Sequence, residues 1–110
     1  MQMPSEYIEL LEEYDFKIND YSDDDTIGIE SWTSTGCDLE LIVDMRNRDV
    51  DYAADWKDAI IEALNSYDPE EEAEINLQAY GNPGLAAMLE DFQDFRESTI
   101  EPLIDEFYRI

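Results

Sequence analysis

The sequence contains no histidine and only one cysteine, and its 110 residues include just six lysines and arginines and four glycines. Each shortage closes off chemistry. Without histidine there is no serine-type triad, no imidazole acid–base group and no ordinary zinc site. Cys37 alone cannot form an intrachain disulfide, which fits a reducing compartment, and in a strand it reads as a small buried hydrophobe rather than a reactive thiol. The glycines are scattered, and "YGNPG" lacks the lysine and the strand-to-helix context of a phosphate loop. No signal peptide or long apolar run is visible, so a cytoplasmic protein with no membrane segment is expected.

What the chain has in excess is negative charge: thirty aspartates and glutamates give a formal net charge of −24. Solubility of a small domain needs a magnitude of only about 2 to 8. Like charge crowded on one body opposes folding and repels nucleic acid and anionic membranes, while it attracts cationic surfaces. Direct nucleic-acid binding is therefore excluded. A hydrophobic content of 44% with seven tyrosines, four phenylalanines and two tryptophans excludes an acidic disordered tail. The length suits a single domain, residues 1–110, with one core.

Periodicity places the elements. "PSEYIELLEEYD" reads as a short amphipathic helix with Ser5 as its cap. From Phe16 the period becomes two, through Ile18. Ile27 and Ile29 lead to Trp32, and after "TSTG" Cys37, Leu39, Leu41 and Val43 alternate with polar residues, so a hairpin turning at Gly36 is expected. "DYAADWKDAIIEAL" is a second helix whose Tyr52, Trp56, Ile60 and Leu64 share a core-facing side. In "DPEEEAE", Asp68 caps a third helix, Pro69 takes its first position, and Glu70, Glu71 and Glu72 sit where the helix dipole favours negative charge. Leu85 to Phe107 carry a last helical pattern that Pro102 should kink or divide. The expected fold is α+β, a three-stranded antiparallel sheet packed against helices in the order α-β-β-β-α-α-α.

Two helices carry carboxylate stripes: Asp51, Asp55, Asp58 and Glu62, and Glu90, Asp94, Glu97 and Glu101, both at offsets of 4, 3 and 4 residues. Neighbours in such a stripe lie about 4.5 to 6 Å apart along the axis. A DNA strand presents a phosphate about every 3.4 Å. A groove of arginines and lysines that grips phosphates could also grip these carboxylates. An amphipathic helix in an acidic protein also carries such stripes as plain solvated surface. However, Lys57 and Arg96 are the only cations close in sequence, where i,i+4 pairs would ordinarily offset the repulsion.

Enzymatic readings find little support. Thirty acidic residues create many chance carboxylate pairs, and a cleft is not expected in so short a chain. "DDDTIG" fails as a calcium loop, since Ile27 and Ser34 would occupy ligand positions. No catalytic residue, metal site or cofactor is assigned.

With this element order, short length and acidic surface, the chain resembles the small anti-CRISPR proteins that occupy the basic duplex site of Cas9. More broadly it is similar to the acidic DNA mimics of phages and mobile elements that act against restriction or CRISPR nucleases. Its element order is also that of double-stranded-RNA-binding domains, whose basic residues it lacks. The resemblance implies a non-enzymatic inhibitor bound to a basic DNA-binding protein or nuclease. The contacts expected are Asp51, Asp55, Asp58 and Glu62, then Glu70, Glu71 and Glu72, with Asp23, Asp24 and Asp25 as a loop alternative. Tyr21 and Tyr67 would add apolar anchorage, unless Tyr67 packs in the core. Two other readings remain open: an acidic module of immunity or adaptor type for another basic partner, and a phage or bacterial domain whose acidity is bulk adaptation.

Overall fold

The change of period at Phe16 marks a helix stop followed by a strand. A computed structural model describes residues 3–21, 25–80 and 85–110 of the chain, and in it α1 spans Ser5–Glu13. Ser5 is already helical and its side chain makes no capping bond; the Pro4 carbonyl accepts the N–H groups of Tyr7 and Ile8 at 3.0 and 3.2 Å instead. The helix closes by a 6→1 bond from Phe16 N–H to Leu11 O and a bond from Asp15 N–H to Glu12 O, both 3.0 Å. Asp15 has φ +63°, so an aspartate stands where this closure favours glycine. Leu11 and Phe16, the apolar pair that accompanies the motif, are both buried.

Strands β1 (Lys17–Asn19), β2 (Thr26–Trp32) and β3 (Asp38–Asp44) form one antiparallel sheet in that order. Gly36 turns the β2–β3 hairpin at φ +89°. Cys37 lies just before β3 rather than within it and is half-buried. The inner face presents Ile27, Ile29, Leu39, Leu41 and Val43, all buried, to the helices. The outer face is open and mixes carboxylates with Trp32 and Ile42, 45% and 47% exposed. Glu30 and Glu40 stand directly opposite each other across the β2–β3 ladder, an arrangement that destabilises a sheet unless bridged. Asn19 Nδ2 donates to Glu40 at 2.7 Å and to Glu30 at 3.5 Å, and the Tyr21 hydroxyl donates to Glu40 at 2.6 Å. Gly28 makes this possible: a Cβ there would lie 2.7 Å from Glu40 Oε2.

Helix α2 is Ala53–Asn65, α3 Pro69–Tyr80, α4 Leu85–Phe95 and α5 Glu101–Arg109. Trp56, Ile60 and Leu64 of α2 are buried as their spacing requires. Tyr52 is not: it precedes the helix in extended conformation and is 65% exposed. The core joins α2 to Met88, Phe92 and Phe95 of α4, Leu103 and Phe107 of α5, and Tyr7 and Leu11 of α1. Tyr7 meets Phe107 edge-on, ring centroids 5.5 Å apart, and Phe16 meets Phe95 at 6.2 Å.

Between α4 and α5 the chain makes a π turn, Arg96–Ile100, with Glu101 N–H bonded to Arg96 O, five residues back. Pro102 explains it. In a continuous α-helix its ring would clash with the carbonyl of Ser98, and the wider turn shifts the helical register ahead of it. One turn earlier, the buried Tyr67 hydroxyl donates to Phe92 O at 2.6 Å. Burial pushes this hydroxyl well above the ordinary tyrosine value of 10.0, with Glu72 adding to the shift. A folded-state value above the unfolded one gives stability that is complete below about pH 10 and lost as pH rises toward the folded value. Tyr67→Phe should therefore cost about 1 to 3 kcal/mol in urea melts at pH 7 and should flatten the loss of stability above pH 10. An unchanged alkaline limb in the variant would contradict this role.

Candidate functional site

The α2 stripe is less uniform than its spacing implies. Asp51 falls in the turn before the helix, exposed, its N–H donating to Asp49 Oδ1 at 2.9 Å. Asp55, half-buried in the first turn, accepts the Asp49 N–H at 2.7 Å and thereby fixes the approach to the helix. Asp58 is exposed, close enough to Tyr7 of α1 to raise its hydroxyl value behind burial and Glu6. Glu62 forms an ion pair with Arg48, whose Nη1 is buried without a hydrogen-bond partner. Asp55 and Glu62 thus hold the β3–α2 connection in place, Glu62 while still exposed, and the exposed side chains of Asp51 and Asp58 have no such role.

At α3 the expected cap is present: Asp68 Oδ1 accepts Glu70 N–H at 3.0 Å, and Pro69 opens the helix. Glu70 and Glu71 are exposed, whereas Glu72 is half-buried and its carboxyl is pushed up, chiefly by burial, then by Glu71 and Asp68. Of the loop alternative, Asp25 is exposed in the turn entering β2, and its carbonyl accepts Met45 N–H at 2.7 Å. Asp23 and Asp24 lie outside the described residues. The last stripe, Glu90, Asp94, Glu97 and Glu101, is wholly exposed, but the π turn interrupts the α-helical spacing that would align it. Tyr21 stands on the open sheet face, and Tyr67 is in the core.

Counter-charge is sparse across this surface. Among the described residues, side-chain ion pairs join Asp44 to Arg46, Glu62 to Arg48 and Glu106 to Arg109. The guanidinium and N–H of Arg46 hold the Asp44 carboxyl down to about 2.

Two features escaped the sequence reading. Asp91 is buried on α4 and accepts hydrogen bonds from Ser34 (3.1 Å) and Thr35 (2.5 Å), tying the hairpin turn to the helix. The signal was there: with Met88, Phe92 and Phe95, Asp91 completes an i, i+3, i+4, i+7 core face. The second is an open groove of about 720 Å³ along α1 and β1. Beyond Trp32 and Asp15 it is followed by a hollow of about 300 Å³ beside the π turn, lined by Ser34, Asp94, Ser98 and Thr99.

The described residues hold no cluster of histidine, cysteine and carboxylate side chains suited to a metal, and no helix long and apolar enough to cross a membrane. The molecule is thus a mixed α+β domain with an open, acidic sheet face and acidic helix surfaces. Comparison with protein-family models, with curated proteins and with solved structures gives no match.

Proposed function

We propose that this protein is a non-enzymatic mimic of nucleic acid that occupies the basic DNA-binding site of a nuclease of Cas9 or restriction type. Charge density carries the reading. The fold measures 45 × 29 × 19 Å and bears a net charge of −24, about one charge per 1.9 Å of its long axis. Duplex DNA carries one per about 1.7 Å. A channel of arginines and lysines built for the duplex would meet a comparable field on a pre-folded body, and it would bind without base pairing or chemistry. Asp51, Asp58, Glu70 and Glu71 are the carboxylates best placed to act, since they are exposed and Asp55, Glu62 and Glu72 are engaged or half-buried.

The test is competition. Cas9-type and restriction nucleases, each titrated with this protein in the presence and absence of cognate duplex, should show mutually exclusive binding and a steep decline of affinity with salt. Equal affinity for DNA-free and DNA-loaded nuclease would exclude mimicry. It would favour the second reading, an acidic immunity or adaptor module, which the exposed Trp32 and Ile42 beside carboxylates also suit.

A further inference from the structure

β1 is the first strand of its sheet, three residues long, and among the described residues one of its edges has no strand beside it. The groove runs along this strand with α1 as its opposite wall. On an unpaired edge, alternate N–H and C=O groups point outward and can template another strand. Ile8, Ile18 and Trp32 supply apolar surface, and Glu12, Asp15 and Asp20 supply carboxylates. Lys17, the cation in the lining, stands opposite Glu30 in the ladder. Asp15 keeps its carboxylate there at a backbone position that favours glycine.

These features choose the occupant. A second copy of the chain, or a nucleic acid, would bring strong like charge into the groove. A neutral apolar peptide would desolvate Glu12 and Asp15 without pairing them. We propose that the groove takes an extended basic segment of a partner polypeptide, added to β1 as a fourth strand. An apolar side chain packs against Ile8 and Ile18, arginines reach Glu12 and Asp15, and one of them stacks on Trp32. The volume suits a short peptide. This site goes beyond the mimic reading, since it needs a peptide backbone and lies on α1 and β1 rather than on α2 and α3.

The test uses the full-length protein and the heptapeptide Arg-Val-Arg-Leu-Arg-Val-Arg, with a counterpart N-methylated on alternate amides, at about 0.15 M salt. The expected result is a set of amide shift changes concentrated at residues 15–20, an altered Trp32 emission, and binding at least about tenfold weaker for the N-methylated peptide. Ile18→Arg and, separately, the exposed Glu12→Lys should each weaken the parent peptide, with unchanged circular dichroism confirming the fold. Equal binding of the two peptides, or shifts spread as strongly over α2 and α3 as over β1, would overturn the groove as a strand-addition site. Failure here with DNA competition intact removes the groove alone; the converse removes the mimic reading alone.

Discussion

Changing Asp51 and Asp58 to lysine and Glu70 and Glu71 to glutamine should weaken the nuclease complex by about 100-fold or more and reduce its salt dependence, without lowering the melting temperature. The choice of positions comes from the structure. All four side chains are exposed. Reversing the whole α2 stripe would be a poorer experiment: lysine at position 55 would abolish the bond to Asp49 N–H, and lysine at 62 would set a second cation against half-buried Arg48. Either change would strain the β3–α2 connection, and lost binding would then report lost structure. At α3 the neutral glutamine avoids placing positive charge against the helix N-terminus, where it would cost about 0.3 to 1 kcal/mol per residue. Binding to a nuclease unchanged in affinity and salt slope would remove these carboxylates from the interface. A reciprocal gain is also expected: the variant should resist unfolding slightly better at low salt, because like charge has been removed.

Periodicity revealed the elements of this fold and concealed their ends. Tyr52 lies four residues from Trp56, so a wheel drawn from 51 to 64 puts both on one face. The helix instead begins at Ala53, and the spacing loses its meaning one residue too early. Asp51 was misplaced for the same reason. Offsets along 90–101 failed differently, because a π turn inserts an extra residue per turn that no hydrophobic pattern records. Pro102 was its only local trace. The cap at Asp68 was legible because its chemistry is confined to adjacent residues. The groove was not, since Ile8, Ile18 and Trp32 meet only after α1 and the sheet have packed.

Raising salt from about 0.02 M to about 0.5 M should raise the melting temperature by on the order of 10 °C, the equivalent of roughly 2 kcal/mol in a domain of this size. The repulsion to be screened is specific. Glu30 faces Glu40 across the ladder, Glu70, Glu71 and Glu72 are consecutive, and the side-chain ion pairs found among the described residues engage only Arg46, Arg48 and Arg109. Mild acid should act in the same direction, and two carboxyls bound the window. Glu72 is raised from 4.5 by burial and then by Glu71 and Asp68, so its folded value lies above the unfolded one; its contribution is present below 4.5 and lost as pH rises through the folded value. Asp44 has the opposite sign: lowered from 3.8 to about 2 by Arg46, it contributes above 3.8 and is lost as pH falls through about 2. Both contributions are complete between pH 3.8 and 4.5, so stability should peak there, more acidic than the usual optimum of about 5 to 8. Calorimetry across pH 3 to 8 at both salt levels measures this, and Glu72→Gln should narrow the difference between neutral and acidic melts. A melting temperature that ignores salt, or a maximum that stays at neutral pH, would mean that the carboxylates are far enough apart for water to screen them, and the cost of keeping so much acidity would vanish with it.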